Sequence, residues 1–213
     1  MGRGDVVSFK VEGLDQIQKM IAFLSPETFQ KAQSGGLRYA AKAAIPAASK
    51  AIGARYNITA SRIKQDIKGP FIRGDEAKLI FSRKPPTLLQ FGFKPGRRGS
   101  SQPGLGRGMG WGKPSKPGRP ATAMIVRGRR QQYPTAFLAP GRNGAMLPFR
   151  PGKGYTANGR RRLEIEHGPS IGSLFAGRSE FGPVIRAEVE ARINEQFIKG
   201  FQRVLDSAAR GRG

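Results

Sequence analysis

Basic side chains in the middle of the sequence are the residues with the clearest chemistry. Between Ala77 and Leu163 the chain has no aspartate or glutamate, yet this stretch holds half of its 38 lysines and arginines. Protein surfaces usually mix both signs of charge, so this stretch indicates an anionic partner. Lysine and arginine bind phosphate oxygens regardless of base sequence. The predicted phosphate contacts are Lys94, Arg97, Arg98, Arg107, Lys113, Lys116, Arg119, Arg127, Arg129 and Arg130, with the arginines at 160–162 beside them.

Two other roles for this charge stay open: a solvated arm that aids solubility, and a docking site for an acidic protein. Base-specific recognition is not expected, because no predicted helix concentrates arginine or asparagine as a groove reader does. Trp111 lies between glycines and suits either stacking on a base or anchoring the segment on a protein.

Other motifs give no sign of catalysis. The alternating glycines from 104 to 112 resemble a phosphate-binding loop, but Arg107 replaces a required glycine and Pro114 replaces the magnesium-binding serine or threonine. Glu164 and Glu166 alternate along a predicted strand among arginines, which favours a solvent-facing row of ion pairs. His167 is the only histidine and has no neighbours suited to a metal site. No enzyme activity, cofactor or metal is therefore expected.

Composition points to nucleic acid as the anionic partner. The 213-residue chain has a formal charge of +24 and a pI near 11.5. An anionic membrane is the weaker choice, because no apolar run approaches 18 residues and no helix opposes a lysine-rich face to a strongly apolar one. The absence of cysteine excludes disulfides and thiolate metal sites and fits folding in cytoplasm. The N-terminus lacks the apolar core of a signal peptide.

The first half of the sequence predicts helices and two strands. Residues 6–11 alternate as a strand, and 14–24 show helical spacing. Ser25-Pro26-Glu27 is a helix start, and an alanine-rich helix should follow to about residue 56, broken or kinked at 34–36 and at Pro46. Thr59 should cap a short helix that ends at 69–70. Strands are predicted at 77–82 and 88–93.

The second half predicts a long loop, short strands and one helix. Residues 94–120 consist mainly of glycine, proline, serine and basic residues, as in a loop or arm of low order. Strands are predicted at 122–127, 135–139, 146–149 and 160–167. A regular apolar stripe predicts a closing helix from 182 to 209. The chain is thus predicted to be a single α+β domain over 1–213, in which N-terminal helices and a long C-terminal amphipathic helix pack on an antiparallel sheet, with the arm at 94–120.

Three segments of the sequence together form a co-linear pattern. The first is the alanine-rich helix running into Arg-Tyr-Asn-Ile at 55–58, with 62–64 and the strand at 77–81. The second joins Ala-Phe-Leu-Ala at 136–139 to 147–153. The third, at 162–165, leads into Gly168, Pro169, Ser170 and Ile171, followed by Leu174 and Phe175. In order and spacing these segments resemble the minor tail protein Z, or tail-completion, family of long-tailed bacteriophages, although the arm at 94–120 is longer than the family pattern.

The resemblance implies a structural virion protein at the head-proximal end of the tail, present in host cytoplasm during assembly. Such a protein would form a six-fold ring around the DNA channel and would contact other tail and head–tail connector proteins. Within the chain itself, Gly168-Pro169-Ser170 would stop a strand and turn the chain, so that Ile171, Leu174 and Phe175 pack on the sheet. The alternative reading is a stand-alone basic nucleic-acid-binding protein of ribosomal or nucleoid type.

Overall fold

The computed structural model describes residues 5–9, 25–73, 76–96, 119–176 and 179–210. The predicted helix at 14–24 and most of the predicted arm lie outside these ranges. The chain divides into two compact units. Unit 1 comprises residues 1–55, 59–84 and 169–213, and unit 2 comprises 56–58 and 85–168. Helices and small antiparallel sheets together make the α+β fold that the sequence predicts; whether the chain is one domain stays a prediction.

Two long helices form the main packing layer of unit 1. Helix α1 (Pro26–Arg55) begins after Ser25, whose hydroxyl accepts a hydrogen bond from the amide of Thr28 at 3.4 Å. Helix α4 (Gly182–Arg210) packs on α1 and confirms the predicted closing helix. Its buried face carries Val189, Ile193, Phe197 and Phe201.

The predicted breaks in α1 at 34–36 and at Pro46 are wrong. The helix continues through Gly35, Gly36 and Pro46 to Arg55. A Cβ on Gly36 would lie 2.9 Å from the ring and the carbonyl oxygen of Phe197, so the glycines allow α4 to approach closely. That packing outweighs the cost of glycine in a helix, about 1 kcal/mol. Pro46 lies on the exposed side of α1, where water can satisfy the carbonyl that loses its amide partner.

The sheet of unit 1 has the strand order β1-β3-β2, with antiparallel neighbours. Its strands are β1 (Asp5–Phe9), β2 (Ile67–Arg73) and β3 (Glu76–Phe81). Thr59 caps helix α2 (Ala60–Gln65) as predicted, and its side chain accepts from the amide of Arg62. The predicted helix end at 69–70 is wrong: Gly69-Pro70 is a cis peptide within β2, where the register with β3 shifts.

Unit 2 consists of two small antiparallel sheets and a 3-10 turn. Strands β4 (Ala121–Ala123) and β5 (Gln131–Tyr133) form one pair. The second sheet has the order β6-β7-β8, from β6 (Phe137–Pro140), β7 (Met146–Tyr155) and β8 (Arg161–Ile165). The strand predicted at 88–93 is instead the 3-10 helix Leu88–Phe91. Leu88 and Phe91 are both buried and are spaced for one face of a helical turn, which Gly92 ends with φ of +66°.

The remaining strand predictions in unit 2 are correct in place but not in length. Strand β4 stops at Ala123, because the chain beyond it joins Val126 to Tyr56 by an isolated bridge. Strand β7 extends six residues beyond its predicted end at Phe149. Pro148 and Pro151 both lie in this strand, although proline cannot donate a ladder hydrogen bond. The hairpin of β7 and β8 is therefore longer than the apolar pattern alone indicates.

Candidate nucleic-acid interface

Unit 2 concentrates positive charge with almost no compensation. It contains 16 of the chain's 38 basic residues but only two of its 14 acidic residues, Glu164 and Glu166. Both carboxylates lie against one guanidinium, that of Arg150. Its Nη2 lies 3.1 Å from Glu164, and its Nε lies 3.4 Å from Glu166. The predicted row of ion pairs therefore uses Arg150 on β7.

The two ends of the predicted arm are held side by side. Lys94 and Thr122 form an antiparallel bridge, in which the Lys94 amide donates to the Thr122 carbonyl at 2.7 Å and the Thr122 amide donates back at 2.9 Å. A Cβ on Gly96 would lie 2.8 Å from the amide nitrogen of Ala121. The described residues on either side of 97–118 therefore lie next to each other. Arg97, Arg98, Arg107, Lys113, Lys116 and Trp111 lie outside the described residues.

The base of the arm is a small polar platform on strands β4 and β5. Ala121 and Ala123 are buried, so Thr122 between them faces outward. Thr122 pairs with Gln132 on one side and with Lys94 on the other, so all three share one face. The Nη1 of Arg130 donates to the Thr122 hydroxyl at 3.0 Å, which draws its guanidinium to this face. Arg119 is exposed where the arm rejoins β4.

Arg127 and Arg129 lie on the connection between β4 and β5. The Nε of Arg127 donates to the Tyr56 carbonyl at 3.3 Å, so this side chain also ties the connection to the start of unit 2. Gly128, with φ of +79°, and the hydrogen bond from the Arg129 amide to the Val126 carbonyl form the turn between them. The structure therefore gathers Lys94, Arg119 and Arg130 at the arm's base and places Arg127 and Arg129 on one turn.

Two exposed residues of the β7–β8 hairpin, Lys153 and Tyr155, were not among the predicted contacts. Lys153 and Tyr155 extend β7, and Tyr155 pairs directly with Arg161. Tyr155 is 68% exposed, although its place in a strand suggests a core residue. The only feature of the sequence that could have placed Tyr155 at this basic surface is its position near the arginine triplet at 160–162.

The motif from Gly168 to Phe175 builds structure rather than a binding site. The Gly168 amide donates to the Pro86 carbonyl at 2.9 Å, and a Cβ there would clash with the Phe91 ring. After Pro169, the Ser170 hydroxyl caps helix α3 (Ile171–Phe175) by accepting from the Ser173 amide. Phe175 stacks on Phe81 of β3 at 4.4 Å between ring centroids. Ile171 and Leu174 are fully buried beside it.

Unit 2 has only one histidine and two carboxylate side chains. His167 is exposed, and its backbone bridges that of Thr87. Burial raises the pKa of the Tyr133 phenol, and the nearby Glu166 carboxylate raises it further. Among the residues that the structure describes, no group of three metal-ligating side chains comes together.

The candidate interface of unit 2 therefore relies on exposed basic side chains and on the shape of the strands and turns that carry them. Within the described ranges, no helix is both long and apolar enough to cross a membrane. Compared with known protein families, characterised proteins and solved structures, the chain has no significant match.

Proposed function

We propose that this chain is a structural virion protein of a long-tailed bacteriophage, which completes the head-proximal end of the tail and joins it to the head. In this proposal, copies of the chain form a ring, six-fold by the resemblance, around the channel through which DNA passes. Its partners are other copies, the neighbouring tail and connector proteins, and DNA held without sequence preference.

The observation that carries the proposal is the co-linear order of the three tail-completion motifs. In this chain each motif lies on scaffold elements: α1, α2 and β3 for the first, β6 and β7 for the second, β8 and α3 for the third. The departure from the family pattern, residues 94–120, lies between the first two motifs in the sequence and interrupts neither of them.

The charge distribution supports a role beside DNA. A ring of subunits that each present unit 2 toward the channel would form a cationic collar around the DNA terminus. Phosphate contact through Lys94, Arg119, Arg127, Arg129 and Arg130 is sequence-independent, which suits a channel that must accept any sequence.

Deletion of this gene from the phage genome that carries it tests the proposal. The expected result is loss of infectivity with unjoined heads and tails, or with joined but inactive particles, in electron micrographs of the lysate. Normal particles at normal titre would refute the tail-completion role.

Complementation of the deleted phage then tests the collar. A gene in which Arg97, Arg98, Arg107, Lys113, Lys116 and Arg119 are all changed to glutamine should restore joined particles but not infectivity. A control gene with six exposed basic residues of unit 1 changed in the same way should restore both. Full infectivity of the first variant would refute the collar.

The second candidate is a stand-alone nucleic-acid-binding protein, which the net charge of +24 favours by itself. It predicts that the deleted phage forms normal tails. It also predicts tight binding of DNA or RNA by free subunits at physiological salt, without any tail component.

A further inference from the structure

The distal part of the β7–β8 hairpin, residues 153–163, projects away from the packed part of unit 2. We name this segment the ribbon. Every residue from Lys153 to Leu163 is exposed, whereas Gly152, one position before it, is buried against the Glu164 side chain. A two-stranded ribbon that is exposed on both faces gains little from burial. Its exposed surface is therefore available to a partner.

The tip of the ribbon has defined geometry. The Thr156 amide donates to the Arg160 carbonyl at 2.7 Å, and the Gly159 amide donates to the Thr156 carbonyl at 2.9 Å. The Thr156 hydroxyl also bonds both the amide and the carbonyl of Arg160. Gly159 has φ of +69°, which a three-residue hairpin loop with a glycine bulge requires. The cations next to the turn thus project from an ordered hairpin.

The charge of the ribbon specifies an anionic partner. It carries Lys153, Arg160, Arg161 and Arg162 and no acidic residue. The nearest carboxylate, that of Glu164, accepts from Arg150 at 3.1 Å. Arg161 shares a face with its pair Tyr155, and Arg162 points to the opposite face. Cations on both faces suit a partner that presents anionic groups on two sides.

The shape of the ribbon favours duplex DNA among polyanions. Its two strands pair at Tyr155 with Arg161 and at Pro151 with Leu163, with a bulge in β7 between these pairs, and the β8 residues from Arg161 to Leu163 span roughly 10 Å. The major groove of B-form DNA, about 12 Å wide and 8.5 Å deep with phosphates on both walls, admits a two-stranded β-ribbon. The major groove of A-form RNA is too narrow for it.

We propose that the ribbon of residues 153–163 enters the major groove of duplex DNA and contacts the phosphates on both walls. Arg161 with Tyr155 faces one wall and Arg162 the other. The ribbon shares no residue with the arm, and the proposal does not depend on tail completion, since it concerns what the free chain binds.

The test compares two variants that lose the same charge. The ribbon variant carries Lys153→Ala, Arg160→Ala, Arg161→Ala and Arg162→Ala. The control variant carries Lys31→Ala, Arg38→Ala, Lys42→Ala and Lys50→Ala, all at exposed positions on α1. Circular dichroism and thermal unfolding first verify that both are folded. A ribbon variant in which Arg161 and Arg162 alone become glutamine serves if the fourfold variant unfolds.

Binding of the full-length proteins to a fluorescein-labelled 30-base-pair DNA is measured by anisotropy from 50 to 300 mM NaCl. The ribbon variant should bind at least tenfold more weakly than the control at 150 mM NaCl. Its salt slope should fall by about 3 to 4, since each lost phosphate contact removes about 0.9. Equal affinities for the two variants would overturn the proposal and assign the ribbon to an acidic protein partner instead.

Dimethyl sulfate tests the groove directly, because guanine N7 lies in the major groove. The wild-type chain and the control variant, at saturating concentration, should protect guanine N7, and the ribbon variant at its own saturating concentration should not. Duplex RNA of the same sequence should bind the wild type more weakly than DNA. Unprotected N7 with the wild type, or equal loss of DNA and RNA affinity in the ribbon variant, would refute insertion into the groove.

Discussion

Arg150 controls how the charge of unit 2 is displayed. It lies against both Glu164 and Glu166, which are the two acidic residues of unit 2. The negative charges of unit 2 are thus gathered around Arg150 and not around Arg130 or the arginine triplet at 160–162. Such an arrangement maintains a strong positive potential, which steers polyanions to the surface.

Arg55 and Glu188 give a residue-scale prediction about unit 1. The two side chains form a bidentate ion pair, with distances of 2.9 and 2.6 Å. The hydrogen bond from Arg55 lowers the pKa of the Glu188 carboxyl below its ordinary value of 4.5. A lowered carboxyl pKa stabilises the fold above the ordinary value, and this contribution is lost as the pH falls through the lowered one.

We expect Glu188→Gln to lower the free energy of unfolding at pH 7 by at most about 0.5 kcal/mol, because Glu188 is half exposed. The difference from wild type should vanish as the pH falls below 4.5, as measured by urea unfolding from pH 7 to pH 3. Glu190→Gln is the control, since Glu190 forms no ion pair with any described residue. A difference that persists unchanged at pH 3 would contradict this account of the ion pair.

At the scale of elements, the contact of α1 with α4 is the clearest example of tertiary packing that overrides local preference. Gly36 lies against Phe197, and Gly35 lies against Val204, where a Cβ would be 2.5 Å from a methyl carbon. Gly53 lies in the same helix, but its Cβ would meet only Ile63, at an ordinary 3.8 Å. Replacement by alanine should therefore change the stability in opposite directions at Gly36 and at Gly53.

We expect Gly36→Ala to destabilise the protein by about 1–3 kcal/mol, because the added methyl group overpacks the helix contact. Gly53→Ala should stabilise it by about 0.5–1 kcal/mol, because alanine is the better helix former. Chemical denaturation of both variants gives the comparison. Stabilisation by both substitutions would show that α1 and α4 are not in close contact at Gly36.

The bridge between Lys94 and Thr122 gives a second prediction for elements. Replacement of residues 97–118 by six glycine and serine residues should leave the fold intact, because the two ends already lie together. The shorter loop should raise the free energy of unfolding by about 1 kcal/mol through its smaller closure entropy. As a comparison, Gly96→Val in the chain with its native arm should disturb the bridge between Lys94 and Thr122 and lower the free energy of unfolding. A loss of stability on arm replacement would mean that the segment packs on the scaffold.

The sequence predicts those elements whose pattern is regular and local. The stripe from Val189 to Phe201 and the caps at Ser25 and Thr59 are of this kind. By contrast, the continuity of α1 depends on what Gly36 meets on another helix, which no local rule contains. Leu88 and Phe91 fit a strand or a helical turn equally well until Gly92 is seen to end the turn.

The same distinction applies to the candidate interface. Charge identifies the basic stretch from residue 77 to 163, because composition is independent of folding. Which cations share a surface follows from pairing: Lys94 with Thr122, and Tyr155 with Arg161. Tyr155 lies outside every strand predicted from the sequence, and its pairing with Arg161 appears only because β7 extends beyond Phe149.

For the whole molecule, charge and scaffold together favour an assembly that holds DNA without reading it. Unit 1 has the helix packing and mixed charges of an ordinary globular scaffold, whereas unit 2 carries nearly unopposed positive charge. Affinity of the free chain for duplex DNA should therefore fall steeply with salt and hardly vary with base sequence. Titration of two unrelated 30-base-pair duplexes from 50 to 300 mM NaCl tests this. An affinity ratio above about tenfold between duplexes would indicate base-specific recognition instead.

In vitro complementation tests the tail-completion proposal most directly. Purified protein is added to a lysate of the phage from which its gene has been deleted, and infectious particles are counted. The proposal predicts that infectivity rises with added protein, while electron micrographs show unjoined or inactive particles becoming complete virions. Equal titres with and without the protein, in a lysate that contains intact heads and tails, would contradict it.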